Sequence, residues 1–149
     1  MKTTIYGQDD KVVDFVTSLV EDLEFHGKIN TLGVESNGEL IAGVVFESYT
    51  GSSISIHVAA LDGRHWLSKE FLFRVFAYPF LQLDCNRVTG LVRADNLKAQ
   101  KLDEHLGFVR EGVMRKGATD GTDYIIYGML KEECRWLNLK ASKEHHGKK

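Results

Sequence analysis

Cysteine is scarce in this 149-residue chain, with only Cys85 and Cys134 present. The two residues are far apart in sequence, and neither belongs to a CxxC pair or has histidines at metal-ligand spacing. Disulfide-stabilised domains and zinc sites need several closely spaced ligands, so the sequence excludes both as a basis for the fold. We expect two buried or unreactive thiols and no metal site.

Long apolar runs and a strong net charge are also absent. The first ten residues, MKTTIYGQDD, contain no apolar run typical of a signal peptide, and no segment approaches the ~20 apolar residues of a membrane span. A formal charge of -2 gives no overall attraction to nucleic acid or to an anionic membrane. We therefore expect a cytoplasmic protein without a nucleic-acid or membrane partner.

Several familiar catalytic signatures are missing as well. The sequence has no GxSxG, no P-loop, no HExxH and no Rossmann glycine fingerprint. With 43% hydrophobic residues it falls in the ordinary range of soluble proteins, and its length suits one core. We expect a single domain over residues 1–138 and a mobile polar tail over residues 139–149.

Apolar periodicity predicts ten main elements of secondary structure and one short helix after them. Strict alternation in SISIHVAA indicates a strand, the Asn37-Gly38 pair indicates a hairpin turn, and Pro79 is expected to end a helix. Strands are predicted at residues 3–6, 31–35, 40–49, 53–60, 87–92, 108–116 and 123–130. Helices are predicted from residue 9 or 10 to about 25, at 66–78 and at 96–106, and a short helix follows residue 131. The order β-α-β-β-β-α-β-α-β-β predicts an α/β protein with a mixed (α+β) sheet covered by helices.

The stretch from Asn96 to Arg115, NLKAQKLDEHLGFVREGVMR, carries the strongest signal. Ala99, Leu102 and Leu106 recur at helical spacing and form one apolar face. Asn96 is a good N-cap, and glycine directly after Leu106 supplies the left-handed residue that ends a helix.

This pattern, Asn-x-x-Ala-x-x-Leu ending in Leu-Gly-Phe and followed by Glu-Gly-x-x-Arg, resembles the Gcn5-related N-acetyltransferases. The most similar branch contains the ribosomal-protein N-terminal acetyltransferases, and phage-encoded members are similar more loosely. The resemblance covers about residues 40–130 and implies the same order of elements. It also implies transfer of acetyl from acetyl-CoA to an amine, which could be a protein N-terminus, a lysine or a small amine. A monomer or homodimer is expected, in the host cytoplasm if the protein is phage-encoded.

The resemblance also implies where acetyl-CoA would bind. In the family the thioester lies where two parallel strands splay apart, which here are residues 53–60 and 87–92. The pantetheine arm would pair with the backbone of Val58, Ala59 and Ala60, and the pyrophosphate would rest on the next helix N-terminus. The residues that this places near the cofactor are Arg64, Trp66, Leu67, Ser68, Lys69, Asn96 and Lys101.

The phosphate loop departs from the family pattern. The family has Gln/Arg-x-x-Gly-x-Gly/Ala, whereas this chain has DGRHWLSK with Gly63 as its one glycine. Arg64 and Lys69 could replace amide contacts with charge. The alternative is that both are solvated charges and that Trp66 belongs to the core.

Candidate catalytic residues follow from the same resemblance. Histidine is a residue type that can act as a base near neutrality, so His57 could do so directly or through water. The alternative is that His57 is an ordinary hydrogen-bonded strand residue. Asn96 could contact the thioester or could serve only as an N-cap. Many family members place a tyrosine acid where this chain has Asp103. An aspartate is ionised near neutral pH unless it is buried, so we expect it to be a poor substitute for the tyrosine.

Three further residues, Glu47, Tyr49 and Glu111, could line the acceptor side or could have only structural roles. A rival function remains open, in which a degenerate acetyltransferase scaffold has lost turnover and binds a host protein. The altered phosphate loop and the missing tyrosine both favour that rival.

Overall fold

The computed structural model describes residues 1–20 and 23–137, which form seven strands and three α-helices. The strands are β1 (Lys2–Tyr6), β2 (Ile29–Ser36), β3 (Glu39–Glu47), β4 (Ser53–Ala60), β5 (Arg87–Arg93), β6 (Val109–Met114) and β7 (Tyr124–Leu130). The helices are α1 (Asp9–Leu19), α2 (Lys69–Ala77) and α3 (Leu97–Leu106). The predicted order of elements and the mixed-sheet fold class are confirmed.

The seven strands form one sheet in the order β1-β2-β3-β4-β5-β7-β6. The pairing of β4 with β5 is parallel, and the other neighbouring pairs are antiparallel. Alternate residues of β3 face opposite sides, because Val44 and Phe46 belong to one apolar cluster and Val45 belongs to another. Helix α1 packs over the smaller cluster, and α2 and α3 contribute to the larger one on the opposite face.

Helix α1 is shorter than predicted. It ends at Leu19, and Val20 is already extended, with φ −118° and ψ 121°. The hydroxyls of Thr17 and Ser18 donate to main-chain carbonyls one turn back, which offers the backbone an alternative to further helix. Leu23 and Phe25 still pack against the α1 cluster in non-helical backbone. The apolar periodicity therefore indicates which residues of this segment are buried. The predicted extension of the helix to about residue 25 is wrong.

The second helix starts later than predicted, and a π-helical turn follows its last residue. Ser68 is the N-cap, since its hydroxyl accepts from the Phe71 N–H at 3.0 Å. Pro79 does not terminate the helical path as predicted. It lies in a π-helical turn, Tyr78–Gln82, at a position near the start of that turn. A proline is tolerated there because the first N–H groups of a turn need no partner within it.

The segment after β7 contains a short 3-10 turn, Lys131–Glu133, in place of the predicted helix. Trp136 is buried, and its indole N–H donates to the Leu106 carbonyl at 2.8 Å, which ties this segment to the end of α3. The predicted polar tail lies outside the described residues. Among the residues that the structure describes, no helix has the length and apolar character needed to span a membrane.

Candidate active site

Strands β4 and β5 separate part of the way along the sheet. Their parallel pairing joins Ser53 to Arg87 and Ser55 to Thr89, and the described ladder between them ends there. Beyond that point β4 stays paired with β3 as far as Ala60, while β5 follows β7. Among the described residues, the remaining half of β4 therefore has no strand neighbour on its β5 side, and the sheet opens into a V.

A pocket of about 230 Å³ occupies this opening. Both strands line it, and residues of α3 and of the segment after α1 complete its walls. Residues from both faces of the sheet line the pocket. Its polar lining includes His57, Glu47, Asp103, Asn96 and Arg93.

His57 and Glu47 form a hydrogen-bonded pair on the α1 face. The carboxylate of Glu47 contacts His57 Nε2, and the two side chains are only 18% and 12% exposed, respectively. The ring of Phe25 stands edge-on to the imidazole, with centroids 5.2 Å apart. When Nε2–H donates to Glu47, Nδ1 keeps a free lone pair. The geometry thus provides an oriented imidazole that can accept a proton.

Asp103 lies on the opposite face, on the second turn of α3. A Cβ built on Gly90 would be 3.1 Å from its Oδ2, so the carboxyl group rests directly against the backbone of β5. Burial, and secondarily the charge of Glu104, raise the pKa of Asp103 to about 7. The sequence predicted an ionised aspartate at this position only for a carboxyl that is not buried, and here the carboxyl is partly buried against β5.

Asn96 lines the pocket and also caps α3. Its Oδ1 accepts from the Ala99 N–H at 3.1 Å, so the capping role is present. Within the described residues, its amide nitrogen has no hydrogen-bond acceptor. Both roles that the sequence left open for Asn96 thus remain compatible with its position.

Arg93 is a structural residue of the site that the sequence did not indicate. Its side chain is 9% exposed, and its guanidinium donates to Asp95 at 3.0 Å and to Asp120 at 2.9 Å. The arginine lowers the pKa of both carboxyls. The loop between β6 and β7 is thereby tied to the start of α3. The Asp120-Gly121 pair was interpreted only as a turn signal, and its ionic partner comes from a distant strand.

The structure does not bring every predicted residue into the pocket. Of the predicted site residues, His57, Val58 and Asn96 line it. Ala59 is buried toward α1, and Ala60 packs against the larger cluster. Lys101 is exposed on α3. The roles assigned to these three residues in binding acetyl-CoA stay predictions.

The phosphate-loop residues lie outside the pocket, at the start of α2. Arg64 pairs with Glu39 at 2.7 Å, and Lys69 is exposed. The indole of Trp66 stands edge-on to Phe71, with centroids 6.2 Å apart, and packs against the larger cluster as the core alternative requires. Leu67 and Ser68 are exposed.

Two residues proposed for the acceptor side lie elsewhere. Tyr49 is 50% exposed, and its hydroxyl donates to the Leu83 carbonyl. Glu111 pairs with Arg87 at 2.9 Å outside the pocket. Of the three acceptor-side candidates, Glu47 lines the pocket. The contacts of Tyr49 and Glu111 fit the structural roles that the sequence also allowed for them.

The chain is similar in sequence to proteins named N-acetyltransferases. No protein-family model matches the chain. The sequence is 28% identical over 109 residues to YdaF of Bacillus subtilis (strain 168), which is provisionally named a ribosomal N-acetyltransferase. It is 34% identical over 92 residues to YokL of the same organism, an uncharacterized N-acetyltransferase derived from the SPbeta prophage. The matches cover 62% and 60% of this chain, and they span 60% and 45% of those proteins.

Solved structures show the same fold over most of the chain. A SpeG spermidine N-acetyltransferase variant from Vibrio cholerae superposes with a TM-score of 0.72 at 16% identity, over 93% of this chain and 98% of that one. Likeness at this identity shows the fold alone. The resemblance to N-acetyltransferases is thus confirmed by the names of the sequence relatives and by the shared fold.

Proposed function

We propose that this protein is an acetyl-CoA-dependent N-acetyltransferase. The observation that carries the proposal is the V-shaped opening between β4 and β5, which holds a pocket with an oriented histidine on one face and a carboxyl group on the other. The named sequence relatives and the shared acetyltransferase fold support the same reaction. The prophage origin of YokL is consistent with a phage-encoded branch.

The residues around the opening fit acetyl-CoA as a substrate. The edge of β4 beyond Ser55 has no described strand partner on its β5 side, so its amides and carbonyls can pair with the pantetheine arm. Ser68 caps the Phe71 N–H, while the N–H groups of Lys69 and Glu70 have no described acceptor and can bind phosphate oxygens. On this account Lys69 and Arg64 add positive charge, and Arg64 exchanges Glu39 for phosphate.

The amine acceptor would enter from the α1 face. There His57 accepts a proton from the attacking nitrogen, and Glu47 orients the imidazole and stabilises its cation. On this proposal Asn96 would donate its amide hydrogens toward the thioester carbonyl. Val20 and Leu23 would form an apolar wall on this side, and Glu47 would be a carboxylate beside it that a cationic amine can contact.

Calorimetric titration with acetyl-CoA tests the first part of the proposal. Bound cofactor at 100 times its dissociation constant should stabilise the fold by about 2.7 kcal/mol. If the protein neither binds acetyl-CoA nor melts at a higher temperature in its presence, the proposal is contradicted. That result would favour the rival function, in which a degenerate acetyltransferase scaffold binds a host protein.

Acceptors are then screened by mass gain. Spermidine, a peptide with a free N-terminus and a peptide with an internal lysine represent the three amine classes. His57→Gln should lower turnover by about 10²-fold or more, and Glu47→Gln should lower it less. Unchanged turnover in His57→Gln would remove the histidine from the mechanism.

The phosphate loop is tested by the double variant Arg64→Ala/Lys69→Ala. Charge that contacts the phosphates equally in the ground and transition states should raise KM for acetyl-CoA and leave kcat unchanged. Lys28→Ala/Arg115→Ala removes the same charge from exposed positions outside the pocket and serves as the matched control. Equal KM values in the two double variants would show that Arg64 and Lys69 are ordinary surface charges.

A further inference from the structure

The acetyl transfer proposed above leaves one proton unassigned. When the amine nitrogen bonds to the acetyl carbon, the carbon–sulfur bond breaks and the electron pair goes to the sulfur of coenzyme A. Coenzyme A leaves more readily when its sulfur is protonated as the carbon–sulfur bond breaks, because it then departs as a neutral thiol. An alkyl thiol has a pKa of ~8.5. A neighbouring acid with a lower pKa can therefore supply that proton.

Asp103 occupies a place from which such a transfer is possible. Its carboxyl group lines the pocket on the α3 face, whereas His57 lines it on the α1 face. Gly90 makes this position available, because any larger residue would place a Cβ only 3.1 Å from Asp103 Oδ2. A glycine in the middle of a strand commonly marks such a close approach.

The groups that surround Asp103 leave its carboxyl unpaired. Among the described residues it has neither a hydrogen-bond donor nor a cationic partner. Glu104 adds negative charge from the same helix. Tyr127 approaches from β7, but its hydroxyl donates to Glu104 at 2.7 Å. Arg93 lies at the end of β5, and two other carboxylates bind its guanidinium.

These surroundings favour the protonated acid. The partly buried carboxyl loses hydration and gains no counter-charge, which raises the pKa of Asp103 to about 7. Bound acetyl-CoA would remove more water and bring negative phosphates nearer, and both effects shift the pKa in the same direction. The acid form is therefore well populated at neutral pH.

We propose that Asp103 is the catalytic acid, which donates its proton to the coenzyme A sulfur as the carbon–sulfur bond breaks. This inference rests on the proposed function. The products are the acetylated amine and neutral coenzyme A thiol. Asp103 is left as a carboxylate and regains a proton from water, and the proton taken up by His57 returns to water. One acetyl group moves, and the proton balance is closed.

Two tyrosines are the rivals for this role. Tyr127 is fully buried, and its pKa is raised to about 12, first by burial and then by its bond to Glu104. It would be a weak acid whose proton is already engaged. Tyr124 lines the pocket from β7 and is compared with Asp103 directly in the experiment.

The experiment measures kcat against pH for the wild type, Asp103→Asn and Tyr124→Phe. The wild type should lose activity on a falling limb at or above pH 7, as the acid ionises. Asp103→Asn keeps the shape of the side chain and should lower kcat by about 10²-fold, abolish the falling limb and leave the acetyl-CoA dissociation constant unchanged. Glu104→Gln should shift the limb to lower pH without lowering the plateau, because it removes the neighbouring negative charge.

Contrary outcomes separate this inference from the proposed function. If the wild type transfers acetyl and Asp103→Asn keeps both its kcat and its falling limb, the acid is another group and only this inference fails. Loss of the limb in Tyr124→Phe would assign the role to that tyrosine. If Asp103→Asn does not fold, the carboxyl carbon of Asp103 in the wild type is titrated by NMR, and a pKa below 5 overturns the inference. Absence of acetyl-CoA binding by the wild type would instead overturn the proposed function.

Discussion

The raised pKa of Asp103 predicts how the stability of this protein depends on pH. The folded state holds this proton with a pKa of about 7, against an ordinary value of 3.8. The sign follows from linkage, because between these two values the folded state binds more protons than the unfolded state, so stability falls as pH rises. At pH 5 the bound proton stabilises the fold by roughly 3 kcal/mol, and at pH 8 this stabilisation is almost entirely lost.

The variant Asp103→Asn removes this titration while keeping the shape of the side chain. Its free energy of unfolding should therefore rise relative to wild type by roughly 3 kcal/mol between pH 5 and pH 8. With a urea m-value of about 2 kcal/mol/M, the difference between the two denaturation midpoints changes by roughly 1 to 2 M. Comparison at equal pH cancels every other titrating group that the two proteins share.

The matched control is Asp14→Asn, which removes the same charge from an exposed position on α1. Its midpoints should follow those of the wild type at both pH values. If Asp103→Asn also runs parallel to the wild type, the carboxyl is solvated in the folded protein. The structural basis for an acid at position 103 would then be lost.

Three further outcomes are expected. Gly43→Ala should lower the free energy of unfolding by about 1–3 kcal/mol in thermal melts, because its Cβ would lie 3.0 Å from side-chain carbons of α1 and overpack that contact; an unchanged melt would mean that α1 yields freely. Asn96→Asp should keep the cap on α3 and hence the melting temperature, but it should lower kcat because aspartate cannot donate an amide hydrogen; full activity would leave Asn96 as a cap alone. Asp120→Asn should be less stable than wild type at neutral pH, because Arg93 lowers the pKa of Asp120. The difference in stability should vanish when the pH falls below the lowered pKa of Asp120 in the folded protein, because the wild-type carboxyl is then protonated. A difference that persists in acid would show that it comes from packing.

The order of elements was predictable because each signal is local. Alternation in β4, the Asn37-Gly38 turn and the capped apolar face of α3 are all encoded by residues within a few positions of one another. The end of α1 was not predictable in this way. Leu23 and Phe25 continue a helical pattern of apolar residues, yet they reach the same cluster with non-helical backbone. Periodicity reports which side chains are buried, and several backbone paths can bury them.

The site was predictable in part. The resemblance in α3 and β4 led to Asn96, His57 and Val58, which do meet in one pocket. The phosphate loop was harder, because the choice between Trp66 as a core residue and Trp66 as a cofactor contact depends on where Phe71 lies. The position of Phe71 depends on how α2 packs on the sheet, and the spacing of residues within DGRHWLSK does not predict that packing.

By itself, the sequence determined the fold class, the order of strands and helices, and the position of Asp103 on a helix face. The tertiary structure alone decided that His57 pairs with Glu47 and that Gly90 leaves room for the Asp103 carboxyl against β5. It also decided that Arg93, which lines the same pocket, pairs with Asp95 and Asp120. The physical reason is that local pattern specifies backbone conformation through neighbouring residues. The pKa of a carboxyl instead depends on the water and charge excluded or supplied by segments that are distant in the chain.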